Sequence, residues 1–349
     1  MIAVVAAGVG WFVIRPRANQ SATSQTGYSS QPPANCRNNP QPVFTATFTD
    51  LAKIKSIAPI GGVMVGSPAR SYITVKGGGT TEKEMAPLYA PIDAVLEGIV
   101  FARRDPTNPQ APGEYRLDFR SSCEVTFHYD HIDEVPDEIR SLGPSTPADN
   151  TREATRTNLA VKAGQLVGRS DGTAQSGGFD FYLLNSGKTV PHINPVRWTW
   201  EQSTIADCPY DYFTPELKEQ YYGAFRSQDN AKLLKLDCGS PSHDLIGTAS
   251  GGWFKDQSTT NEGLWLEIAN MNGRAELLIR EDGNHLFAVR DYQAKIMPDA
   301  VKVGQSVCYS EGQKWVYIKV ASEMELWLAK DEGSCPSSIP TTNIETWQR

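Results

Sequence analysis

Residues 161–184, VKAGQLVGRSDGTAQSGGFDFYLL, constrain the fold more than any other stretch. Two short apolar runs, Leu166–Val167 and Phe179–Leu184, are bounded by Gly164, Gly168 and a Gly/Ser/Thr/Asp-rich loop. Runs of this length between glycines read as short strands joined by tight turns. One carboxylate, Asp180, lies inside the second run. A buried charge there needs an ionic partner or a cation.

The flanking sequence extends the β pattern. Strand-like apolar runs occupy 57–66, 72–75 and 87–100, and Tyr115–Phe119 and Val125–Tyr129 alternate as a strand pair. The second of these runs into HYDHIDEV, which holds His128, Asp130, His131 and Asp133. Asp93, between Ile92 and Ala94, reads as a turn former. Residues 136–158 are a polar insertion that begins with a short helix over 136–142. Thr214-Pro215-Glu216 starts a helix expected to run to Leu234. Beyond 237 five further strand-like segments, separated by Asn272-Gly273, Asp282-Gly283 and Glu311-Gly312, predict a second, small all-β barrel or sandwich. Trp253, Trp265, Trp315 and Trp327 alternate with apolar residues and are expected to fill its core; a subset lining a sugar- or lipid-binding face is the other reading.

The leading segment divides into 1–17, an apolar run closed by Arg15-Pro16-Arg17, and 18–42, rich in Ser, Gln, Asn, Thr and Pro. The first reads as a membrane anchor or truncated signal segment, the second as a disordered linker. The remaining boundaries are a first domain over 43–205, a helical connector over 206–236 and an all-β domain over 237–349. The net charge of −7 argues against a nucleic-acid partner. Six scattered cysteines, with no metal-type spacing, fit disulfides in an oxidising compartment. Spacing leaves the connectivity open. The expected pairings are Cys123 with Cys208, and Cys238 with Cys308 or Cys335, leaving Cys36 unassigned. His192, His243 and His285 lie near turns and are expected at the surface.

Val161, Gly164, Val167, Gly168 and Gly172, with PLYAPIDAVLEGIV over 87–100, resemble the framework of the lysostaphin/LytM-type zinc endopeptidases, a duplicated-hybrid-motif fold that cuts peptide cross-bridges in bacterial cell walls. The resemblance covers roughly 56–186. It implies a mostly β chain, with a LytM-peptidase-like barrel/sandwich hybrid ahead of the second β domain. It also implies a hairpin across 87–100. In that family an H-x-x-x-D motif and the second histidine of H-x-H hold zinc. Here FDFYLL takes the place of the H-x-H strand, so Asp180 replaces a zinc ligand and Gly178 a catalytic histidine. No histidine or aspartate occurs between Ser56 and Pro91, and SPARSYITVK stands where H-x-x-x-D belongs. His131 best matches the histidine of the family's T-x-Y-x-H-L strand, with His128 as the other candidate.

Two readings of the site therefore stand side by side. Asp180 and His131 could bind zinc weakly, or Asp180 accepts hydrogen bonds from His131 or His128. The functional expectation is a membrane-anchored, extracytoplasmic, non-catalytic relative that binds a cell-wall peptide or glycan, or an envelope protein. The alternatives are an active zinc hydrolase using His128, His131 and Asp180, and a small-ligand carrier working through the C-terminal domain. Gly251-Gly252-Trp253 resembles the G-x-W start of lipocalin barrels in three residues.

Overall fold

The computed structural model describes residues 32–62, 69–78, 85–103, 108, 110–149, 154–172, 177–226, 233, 237–271, 274–282 and 284–349. The anchor expected at 1–17 and the Asn272-Gly273 turn lie outside these residues. No helix among the described residues is long and apolar enough to cross a membrane.

The chain is mostly β. Its first unit holds β1 (Ile54–Ala58), β2 (Ser71–Val75), β3 (Ala86–Tyr89), β4 (Ala94–Arg103), β5 (Gly113–Arg120), β6 (Val125–Ile132), β7 (Thr155–Val161), β8 (Leu166–Ser170), β9 (Gly178–Asn185) and β10 (Ala206–Asp207). A large antiparallel sheet runs in the order β1-β2-β9-β6-β5-β4-β7, with β10 on β9, and β3 and β8 form a separate two-stranded ribbon. Among the described residues the unit also holds the short α-helices α1 (Asp137–Arg140), α2 (Glu201–Ile205) and α3 (Pro215–Gly223).

Period-two alternation sends Leu117, Phe119, Phe127, Tyr129, Phe179, Phe181 and Leu183 to one side of the large sheet. There they meet Leu88 and Val167 of the ribbon and the aromatics Phe44, Phe48, Tyr210, Phe213, Tyr221 and Phe225. Phe48 stacks on Phe181 at 4.8 Å and Phe119 on Phe127 at 4.9 Å. Each such pair adds about 0.5–1.5 kcal/mol beyond area burial. Buried hydroxyls keep their partners: Tyr210 Oη lies 2.6 Å from Ser71 Oγ, and Tyr129 donates to the Tyr89 carbonyl at 2.8 Å.

Several expectations need correction. Residues 87–100 are not a hairpin, since β3 pairs with β8 whereas β4 pairs with β5 and β7. The chain turns a corner at Pro91, whose carbonyl is taken by the Thr45 and Ala46 N–H groups. Asp93 does act in a turn, accepting from the Ala163 N–H at 2.9 Å and from Lys162 at 2.8 Å. The linker expected over 18–42 is fastened by 36, where Cys36 bonds Cys123. The helix expected from Pro215 to Leu234 stops at Gly223, because Phe225 turns into the core and bridges Ile57. The 206–226 segment therefore packs on the first unit.

The disulfides are Cys36–Cys123, Cys208–Cys238 and Cys308–Cys335. Cys123 lies in the half-exposed β5–β6 turn, beside the N-terminal arm, while Cys208 sits in the core with Cys238, so the expected Cys123–Cys208 bond does not form. Cys238 is thereby used within the first unit and is not available to Cys308 or Cys335. Three closed disulfides fit an oxidising, extracytoplasmic compartment.

The second unit holds β11 (Gly251–Phe254), β12 (Leu264–Met271), β13 (Arg274–Glu281), β14 (Asn284–Asp291), β15 (Ser306–Glu311), β16 (Lys314–Ser322), β17 (Glu325–Glu332) and β18 (Glu345–Gln348). They form one antiparallel sheet, β14-β13-β12-β11-β18-β17-β16-β15. Its ends face each other: the Arg290 N–H reaches Glu311 at 3.0 Å and the Ser310 N–H reaches Asp291 at 3.3 Å. The result is a nearly closed barrel. Trp253, Trp347 and Tyr309 fill its interior with Leu266, Ile268, Val316 and Leu328. Trp265 instead faces outward against Trp198, Phe254 and Trp200, and Trp315 packs outside with Tyr317 and Ala329. Trp327 lies half-buried beside Glu325, to which it donates at 2.6 Å. Of the four tryptophans expected in the core, only Trp253 is there.

Candidate functional site

The same alternation that buries Phe179 and Phe181 sends Asp180 and Tyr182 to the opposite face of the sheet. Strand register then assembles a polar row across three strands, Tyr72–Asp180–Asp130, and beside it a second, Tyr182–His128–Asp118. Asp130 and His131 are consecutive, and in a regular strand they would point apart. A bulge in β6 sets these two residues opposite Arg116 alone, with His131 in the left-handed region at φ 61°. Bulges re-aim side chains in this way. Both side chains thereby reach one cluster, at a local backbone cost of about 1–3 kcal/mol.

Arg70 sits at the centre of that cluster. One guanidinium nitrogen, Nη1, lies 2.8 Å from Asp130 Oδ2 and 2.9 Å from Asp180 Oδ2. The guanidinium also covers the Tyr182 ring at 4.7 Å, and its Nε lies 3.4 Å from Gln202 on α2. His131 Nδ1 is 2.9 Å from Glu114 Oε1, and its Nε2 is 3.7 Å from Asp180 Oδ2. Burial opposes ionisation of Asp130, but the charges of Arg70, His131 and Arg116 outweigh it and hold this carboxyl at about 2. Asp180 has burial and the Asp130 charge against it and sits above its ordinary value. Burial also works against charge on His131, yet the Glu114 hydrogen bond and the three carboxylates raise it to about 9. The cluster thus sets Arg70 and His131 among three carboxyl groups, those of Glu114, Asp130 and Asp180.

The second row is a satisfied network. His128 Nδ1 lies 2.7 Å from Asp118 Oδ1, its Nε2 lies 3.1 Å from Thr126 Oγ1, and its ring stacks on Tyr182 at 4.5 Å. Burial raises the Asp118 carboxyl, but the His128 hydrogen bond and Arg116 carry the balance and lower it. Gly98 makes room for this carboxylate, since a Cβ there would stand 2.9 Å from Asp118 Oδ2.

Glu114, Asp130 and His131 bring ligand-type atoms within 4.8 Å of one another. Zinc nevertheless fits these residues poorly. Asp130 and Asp180 already hold Arg70, and His131 is an imidazolium where a ligand must be neutral. A dication about 4 Å from the guanidinium would meet roughly 8 kcal/mol of repulsion at an effective dielectric of 20. Gly178 cannot have been a histidine on this backbone. A Cβ there would fall on the Ile73 carbonyl of the paired strand β2.

The structure thus brings Asp180 and His131 together and places His128 in the neighbouring row with Asp118. Neither histidine makes the expected hydrogen bond to Asp180, whose partner is Arg70. Arg70 escaped the sequence reading, although it stands two residues before Tyr72 and so shares the face of Asp180. Of the histidines expected at the surface, His192 is buried and His243 half-buried at the seam between the units. His192 stacks on Trp198 at 3.9 Å and lies 2.7 Å from the Ser203 carbonyl, and burial pushes His243 down to about 4. His285 is exposed as expected.

Comparison with protein-family models, curated proteins and solved structures finds no match to this chain.

Proposed function

We propose that this chain is a non-catalytic binding or scaffolding module of the cell envelope, derived from a LytM-type peptidase framework whose metal position has been taken over by an arginine. The observation that carries this reading is Arg70, seated between Asp130 and Asp180. A guanidinium supplies fixed positive charge to the same carboxylates a metal would bridge, but it has no open coordination position for a water. It preserves the positive charge between the two carboxylates and removes the chemistry. The imidazolium of His131 and the closed approach at Gly178 point the same way.

In this reading residues 1–17 anchor the protein and the disulfide-bonded part lies outside the cytoplasm. The polar face around Arg70 would hold a cell-wall peptide or glycan, or dock an envelope protein. The filled interior of the C-terminal barrel argues against a ligand carried inside it. The barrel instead buttresses the first unit through Trp198 and Trp265, whose rings meet at 5.8 Å. Co-sedimentation with isolated cell-wall sacculi tests the proposal. The expected result is retention of protein in the pellet with no release of soluble wall fragments. Zinc-dependent release of fragments would overturn it.

A further inference from the structure

A concavity lies on the same sheet face, one step further along β5 than the Asp118–His128 row. It is a cleft of about 630 Å³ lined by the arm residues Pro33, Asn35 and Arg37, by Glu97 and Arg120, and by Arg156–Asn158 of β7. That volume suits a polar ligand of a few residues. The arm is held as a wall by Cys36–Cys123 and by the Cys123 N–H on the Arg37 carbonyl at 3.0 Å. The floor is re-aimed by a bulge at Glu97, which turns this carboxylate toward Arg120, with both oxygens 2.9 Å from Nε.

Three arginines face one glutamate in this cleft, against a chain whose net charge is −7. Glu97 neutralises Arg120. Arg37 and Arg156 are exposed and have no partner among the described residues. Two uncommitted guanidinium forks, one on the arm and one on β7, suit oxyanions such as carboxylates. The lining contains no aromatic ring, so a sugar would find no stacking platform. One wall is β7, the last strand of the sheet, with β4 beside it and β5 beyond, so the cleft runs across the face of three neighbouring strands. The occupant is not this chain's own leading segment, because residues 1–31 contain no Asp or Glu.

We propose that this cleft binds an acidic peptide segment of another protein, with its carboxylates held by Arg37 and Arg156. The site stands on its own geometry and does not depend on the reading of the Arg70 cluster.

The test is fluorescence anisotropy of a labelled hexaglutamate peptide on the full chain, with hexaglutamine and citrate as comparators. The expected result is saturable, salt-sensitive binding of hexaglutamate and not of hexaglutamine. Replacing both arginines (Arg37→Gln with Arg156→Gln) should weaken it roughly tenfold, the scale of two exposed ion pairs. Both side chains are exposed and unpaired, so the variant should keep its circular dichroism and melting temperature. Equal binding of hexaglutamine, or unchanged binding by the double variant, would overturn the proposal. Citrate binding as tightly as the peptide would also overturn it, by making the cleft a small-anion pocket.

Discussion

Replacing Arg70 with methionine removes the cation and keeps most of the side chain's apolar length. Two buried carboxylates are then left facing each other from adjacent strands, with side-chain exposures of 3% for Asp180 and 9% for Asp130. Breaking a buried ion pair on one side costs about 3–5 kcal/mol. Arg70 is 19% exposed, so solvent reaches it and the lower end applies. Losing the cation–π contact to Tyr182 adds about 1 kcal/mol. The expected loss is about 4 kcal/mol by urea denaturation at pH 7, with an unchanged m-value. The pH dependence should move as well. In the wild type Asp130, held at about 2, contributes stability that is present above the ordinary carboxylate value and is lost as the pH falls through about 2. Without Arg70 the pair shares a proton, and the variant regains stability on mild acidification instead. The variant also uncovers Glu114, Asp130, His131 and Asp180 as metal donors. Zinc at a hundredfold its dissociation constant should restore about 2.7 kcal/mol to the variant and nothing to the wild type. A loss below about 1 kcal/mol, or equal zinc stabilisation of both proteins, would refute the reasoning.

Three further outcomes are expected. Glu267 is 1% exposed, neither of its oxygens has a hydrogen-bond partner among the described residues, and burial, against the charge of Arg280, raises it from 4.5 to about 7. Its contribution is complete below about pH 4.5 and is lost as the pH rises through about 7, a change on the order of 3 kcal/mol. Glu267→Gln should flatten stability across that window, and a wild-type profile without the decline would contradict this. Gly178→Ala drives a Cβ into the β2 backbone and should cost about 3 kcal/mol, whereas Gly223→Ala, with nothing within 4 Å, should be within about 0.5 kcal/mol of neutral by thermal melting. Opening Cys36–Cys123, which closes a separation of 87 residues, by paired serines should cost up to about 4.5 kcal/mol in denaturant titration. A loss under about 1 kcal/mol would mean that the arm lies outside the cooperative unit.

The strands were legible where one face is apolar. FDFYLL, the β5–β6 pair and the five long barrel strands alternate at period two, and burial enforces that register. Strands β7, β15 and β18 were not read, because TRTNLAV, SVCYSE and ETWQ carry too few apolar residues to show the period, and β7 begins inside what was expected to be the loop of the 136–158 insertion. The 87–100 segment is two good strands around a turn, which local pattern cannot tell from a hairpin; the corner at Pro91 is set by partners as distant as Thr45 and Leu166. Tryptophan alternation identified buried faces but not which side of the barrel each occupied, since Trp265 is buried by Trp198 of the other unit. In the Arg70 cluster, Asp180 was singled out by its chemistry and His131 by its register in the resembled family's strand. Arg70 was not, because an arginine at a strand start is ordinary until register sets it between two carboxylates 60 and 110 residues away.

Elemental analysis of the purified full-length protein, after equilibration with excess zinc and desalting, tests the central claim most directly. With Arg70 holding Asp130 and Asp180, the protein should carry far less than one zinc per chain. One zinc per chain, lost on His131→Ala or Asp180→Ala, would mean that Arg70 yields its place to the metal, and the protein would then have to be treated as a hydrolase.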